Sequence, residues 1–97
     1  MLADFKDENL RRVEIDATAD CGRGEAVTKA FRKRMQSIRA ALDERDFYAQ
    51  KSFHFEKLKG GDGLRSMRLN DQWRLIIEIV GEAPSKTVWS IGIADYH

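Results

Sequence analysis

Residues 66–80 read Ser66-Met67-Arg68-Leu69-Asn70-Asp71-Gln72-Trp73-Arg74-Leu75-Ile76-Ile77-Glu78-Ile79-Val80, and this stretch decides the fold. Arg65 to Leu69 is strand-forming. Asn70-Asp71-Gln72 is turn chemistry, because Asn and Asp side chains bond to their own backbone. Trp73 to Val80 is a second strand. Gly81 to Ser85, with the only proline, Pro84, is a loop, and Lys86 to Asp95 is a third strand. Two short connections in succession make an antiparallel meander. At a period of two, Met67 and Leu69, then Trp73, Leu75, Ile77 and Ile79, then Trp89, Ile91 and Ile93 point to one face. That face is the expected core. The other face carries Ser66 and Arg68, then Arg74, Ile76 and Glu78, then Ser90, Gly92 and Ala94.

Upstream, the period changes. Val27, Phe31, Met35, Ile38 and Leu42 recur at spacings of four, four, three and four, one face of a helix. Lys29, Arg32, Lys33 and Arg39 fall off that stripe and meet either solvent or a partner. Asp43 to Gln50 continues as a short helix. Asp7 to Ile15 is helical, with Leu10, Val13 and Ile15 as its apolar positions. Met1 to Phe5 forms a short first strand, and residues 17–24 form a loop. From residue 51 the period is two, and Gly60-Gly61-Asp62-Gly63 is a turn. Helices that cover one face of a small, mainly antiparallel sheet give an α+β fold, and 97 residues make one domain, 1–97.

Composition narrows the function. Charged residues are 34% of the chain, 17 basic against 16 acidic, yet the distribution is uneven. Residues 21–50 and 51–75 each carry a net +3, while both ends are acidic. A local basic surface holds a polyanion even when the whole chain is only +1. No apolar run reaches about 18 residues, so no membrane span is expected. The acidic stretch Met1 to Asp20 is unlike a secretory leader, which points to the cytoplasm. Cys21 is the only cysteine, which excludes an internal disulfide and a cysteine zinc site.

No phosphate loop or nucleophile elbow is present, and nothing calls for a metal or a cofactor. The chemistry-bearing set is His54, Glu56, Lys57, Lys59, Arg65, Arg68, Arg74, Asp95, Tyr96 and His97. It suits RNA cleavage by the neighbouring 2′-hydroxyl: a base takes the 2′ proton, cations hold the crowded phosphate, and an acid protonates the 5′ leaving oxygen. Histidine, which titrates near neutrality, fills either proton role. Arg68 and Arg74 flank one turn. Like charges side by side are unfavourable, so either a bound anion or pairing with Glu78 or Asp71 compensates them.

Three pieces of the chain carry a family resemblance: Lys57-Leu58-Lys59-Gly60, then residues 66–75, then Asp95-Tyr96-His97. In order and spacing, the stretch from Phe55 to His97 resembles the RelE/ParE toxin superfamily, and within it the HigB-like plasmid maintenance system killer proteins. The resemblance implies a RelE-like fold and the toxin of a type II toxin–antitoxin pair. It implies a ribosome-dependent endoribonuclease that cuts messenger RNA and so stops translation. The implied partners are the ribosome, messenger RNA and an antitoxin, usually a helix-turn-helix HigA-like protein. It assigns catalysis to Asp95, Tyr96 and His97 with an upstream histidine; the basic residues Lys57, Lys59, Arg65, Arg68 and Arg74 of the chemistry-bearing set are the expected RNA contacts. The family's upstream histidine stands four residues before the glycine, where this chain has Glu56; His54 is two residues earlier. In an extended segment the two share a face, so either is a candidate. A ParE-like gyrase inhibitor, which binds without cleaving, is the alternative, and a toxin-like binding module without activity is a third reading. The Asp-Tyr-His ending favours the nuclease, since a pure binder has no need of it.

Overall fold

A computed structural model describes residues 1–59, 63–82 and 85–95. The turn at Gly60 to Asp62, the loop proline Pro84, and Tyr96 and His97 therefore lie outside the described residues. The elements in order are β1 (Leu2–Phe5), α1 (Glu8–Ile15), α2 (Glu25–Ala40), α3 (Arg45–Ala49), a 3-10 turn (Lys51–Phe53), β2 (Glu56–Lys57), β3 (Leu64–Arg68), β4 (Trp73–Val80) and β5 (Thr87–Asp95). Five strands form one sheet in the order β1-β5-β4-β3-β2. The meander β2-β3-β4-β5 is antiparallel, and β1 joins its far edge parallel to β5. The architecture is α+β, as the sequence predicts. No helix among the described residues is long and apolar enough to cross a membrane.

Local chemistry explains where each helix starts and stops. Asp7 caps α1, its carboxylate accepting from the amides of Asn9 and Leu10. At the other end Arg32 of α2 donates to the carbonyls of Val13, Asp16 and Ala19, each at 2.9 Å. Part of the basic face of α2 is thus structural, and Arg39 likewise pairs with Glu14 at 2.7 Å. The last carbonyls of α2 receive the Met1 amine, at 3.4 Å to Ile38 and 3.2 Å to Arg39, with a further bond to Ala41.

Leu10 and Val13 of α1, Val27, Phe31, Met35 and Ile38 of α2, and Phe47 of α3 pack on Phe5, Met67, Leu75, Ile77 and Val88 of the sheet. Three apolar assignments from periodicity need correction. Ile15 is 77% exposed and Leu42 90% exposed: Ile15 lies five residues from Leu10, on the far side of a 3.6-residue turn, and α2 ends before Leu42 because Ala41 is already extended. The third correction concerns β5. A β-bulge puts Ile76 opposite Gly92 but Ile77 opposite Ser90, so Ile91 is the extra residue. Below the bulge the alternation inverts: Val88 and Ser90 are fully buried against the helices, and Trp89 lies opposite Glu78 on the other face. Ser90 donates to the Met35 sulfur at 3.5 Å.

Candidate functional site

The helix-free face is built by register. Glu56 pairs with Ser66, Ser66 with Ile76, and Ile76 with Gly92; one step along, Arg68 pairs with Arg74 and Arg74 with Ala94. Arg74 lies flat across β3 and is only 7% exposed. Its Nη1 donates to the His54 carbonyl at 3.0 Å and to the buried Ser66 hydroxyl at 3.2 Å. Arg68 takes the other expected course, an ion pair with Asp71, and its Nε donates to the Asn70 carbonyl at 3.3 Å. The turn between these strands is fixed by Asn70, whose Oδ1 accepts from the amides of Gln72 and Trp73 at 2.9 and 2.8 Å.

His54, Arg68, Asn70, Asp71 and Arg74 line one cavity of about 160 Å³. His54 ends the 3-10 turn in the left-handed region (φ 44°, ψ 51°), alone among the described non-glycine residues in having positive φ. Such a conformation is uncommon and persists where the surroundings enforce it. Here the Arg74 guanidinium holds the His54 carbonyl on one side, and Phe53 is buried on the other. The segment is therefore not extended at His54, and strand alternation does not relate His54 to Glu56; Glu56 is exposed on β2, opposite Ser66.

The remaining basic candidates are not brought to this face. Lys57 pairs with Arg65, and Arg65 with the fully buried Ile77, so both belong to the helix-covered side at the sheet margin. Arg65 has its Nε buried without a partner among the described residues, while its Nη1 donates to the Leu64 carbonyl at 3.3 Å. Lys59 is exposed in the turn after β2. Asp95 closes β5 opposite Trp73, and its Oδ2 accepts from Gln72 Nε2 at 3.1 Å. The end of β5 is thereby tied to the turn that borders the cavity.

One cation near the site escapes a reading by period. Arg34 of α2 donates from Nε to the Arg68 carbonyl at 2.9 Å, with its guanidinium 4.4 Å from the Phe53 ring centroid. Burial, and then the positive charge of Arg68, push its pKa down. Arg34 stands three residues after Phe31 and seven after Val27, beside the apolar stripe, which is the signal that finds it.

A solved structure of a YoeB/ParE toxin from Agrobacterium tumefaciens has this fold. It covers 100% of both chains with a TM-score of 0.62 at 14% identity. No protein-family model and no curated protein matches. The shared property is architecture: three helices and a five-stranded mixed sheet. The α+β, RelE-like fold expected from the sequence, helices on a small, mainly antiparallel sheet, is the fold present.

Proposed function

We propose that this chain is the toxin of a toxin–antitoxin pair and acts as an endoribonuclease on messenger RNA, within the HigB-like branch of the RelE/ParE superfamily. The observation that carries the reading is the cavity itself: His54, Arg68 and Arg74, each singled out from the sequence, line it together. The YoeB/ParE fold supports the toxin assignment.

In this mechanism the scissile phosphate sits against Arg68 and Arg74. The 2′-oxygen attacks phosphorus as a base removes its proton, and the P–O5′ bond breaks as an acid protonates the leaving oxygen. The products are a 2′,3′-cyclic phosphate and a 5′-hydroxyl. Arg74 is held in place by the His54 carbonyl and the Ser66 hydroxyl before substrate arrives, which suits stabilisation of developing charge. Arg68 exchanges Asp71, a fully hydrated partner, for phosphate. His54 takes one proton role and His97 the other, with Tyr96 and Asp95 supporting it and Glu56 the alternative to His54. Lys57, Lys59 and Arg65 steer the flanking RNA. The partners are messenger RNA, the ribosome and a helix-turn-helix HigA-like antitoxin in the cytoplasm.

The test is primer extension on a reporter messenger RNA after a brief pulse of expression. Discrete cuts that disappear with His54→Ala, at matched soluble protein, support the reading. Uncut RNA accompanied by broken DNA refutes it in favour of gyrase inhibition.

A further inference from the structure

We propose that the helix-free face of the sheet is a track for single-stranded RNA and that Trp89 is a base-stacking platform at the end away from the cavity. The inference rests on the ribonuclease reading and names how that site would hold substrate beyond the scissile phosphate.

The placement of Trp89 is the first observation. The bulge at Ile91 turns Trp89 onto the helix-free face and sends Ser90, fully buried, into the core, where its hydroxyl donates to the Met35 sulfur. Core stability favours the reverse, an aromatic ring inside and a hydroxyl outside. A strand that breaks both preferences at adjacent positions is organised for something other than packing.

The surface between Trp89 and the cavity is the second observation. It is floored by Gly92 and Ala94, opposite Ile76 and Arg74. A side chain at Gly92 would meet none of the described residues within 4 Å. At about 3.3 Å per residue, Ala94 and Trp89 are roughly 13–17 Å apart, a span of a few extended nucleotides.

Charge is the third. Arg68 and Arg74 stand at one end, and Lys6 stands at the other, with its Nζ 5.8 Å from the Trp89 ring centroid. The charges at this end are paired, Lys6 with Glu78 at 3.4 Å and Arg11 with Asp4 at 3.0 Å, so neither carboxylate faces the RNA without a counter-charge. A flat aromatic ring beside a cation, in line with a phosphate site, is the pairing that binds single-stranded nucleic acid with little sequence preference. The track starts at the cavity wall, because Arg74, which lines the cavity, pairs with Ala94 of β5.

The test uses Trp73→Phe protein, in which Trp89 is the only tryptophan. The probe is a short single-stranded 2′-O-methyl RNA, which has no free 2′-hydroxyl to react. Binding should quench Trp89 emission. Trp89→Leu should weaken binding about 5- to 150-fold, the range for loss of one stacked base, while Trp89→Phe retains most of the affinity. The salt dependence of binding should not change, because no phosphate contact is lost. An abasic nucleotide moved along the probe should abolish quenching at one position only, an effect that a merely structural role cannot produce. Trp89→Leu protein that folds and binds as tightly as its parent, or quenching indifferent to the abasic position, overturns the platform alone. A parent that binds no probe and cuts no messenger RNA removes the ribonuclease reading and the track with it.

Discussion

Replacing Arg74 with Ala tests whether this residue belongs to the sheet, to the site, or to both. The side chain is 7% exposed and donates to the His54 carbonyl at 3.0 Å and to the Ser66 hydroxyl at 3.2 Å. A bond from a charged donor contributes about 1.5–3 kcal/mol, and a buried group left unpaired costs about 1–3 kcal/mol. Water can enter the cavity and recover part of this, so the expected destabilisation is about 2–4 kcal/mol. For a domain of this length that lowers Tm on the order of 10–25 °C and leaves the protein folded at room temperature. Circular dichroism melts of wild type, Arg74→Ala and Arg74→Met, which keeps much of the stem, separate hydrogen bonding from packing. Ser66→Ala in a double-mutant cycle with Arg74→Met should show a coupling of about 1 kcal/mol. Cleavage should fall even where the protein is fully folded, because the His54 carbonyl loses its anchor. Arg74→Ala protein melting within about 2 °C of wild type would refute the structural half of this reasoning.

Three further outcomes are expected. Phe31→Ala, at a fully buried position beside Phe5, should cost about 3–5 kcal/mol, visible as a large fall in Tm. Arg32→Met removes three bonds to the carbonyls that end α1 and lead into the next loop; hydrogen exchange should accelerate in α1 more than in α2. Asp43, hydrogen-bonded to Arg45, has its pKa lowered from 3.8 to about 2. A depressed folded-state pKa means that its stabilisation is complete above the unfolded value and is lost as pH falls from about 3.8 to about 2. Asp43→Asn should therefore lose less Tm than wild type across that window.

The meander was legible because its signals are local. Two-residue alternation and an Asn-Asp turn place Trp73 and Val80 at the ends of β4, as observed. The stripe Val27, Phe31, Met35 and Ile38 is equally local, and all four are buried. What failed depends on distant chain. No glycine or proline marks the end of α2; the Met1 amine and an extended Ala41 end it. The bulge at Ile91 is set by how β5 must meet both β4 and β1, and one inserted residue reverses every face before it. The sequence Trp89-Ile91-Ile93 alternates perfectly and still does not share a face.

The site shows the same division. That Arg68 and Arg74 share a face follows from the length of one turn, and the structure keeps them together. That Arg65 does not join them follows from alternation along β3, where it shares the parity of Met67; that Lys57 lies with Arg65 follows from the β2–β3 register, which no local pattern encodes. The proximity of two arginines left two readings open, a bound anion or ordinary pairing, and the observed bonds show these to be compatible. Arg68 is paired with a carboxylate that is 94% exposed, a partner that solvent competes for and phosphate can replace. Arg74 is oriented by a carbonyl and a hydroxyl, bonds that aim its guanidinium without themselves cancelling its charge. The named contacts of both arginines are therefore compatible with a ligand in the cavity that the two side chains line. Structural satisfaction of Arg74 is thus a precondition for the functional reading rather than evidence against it.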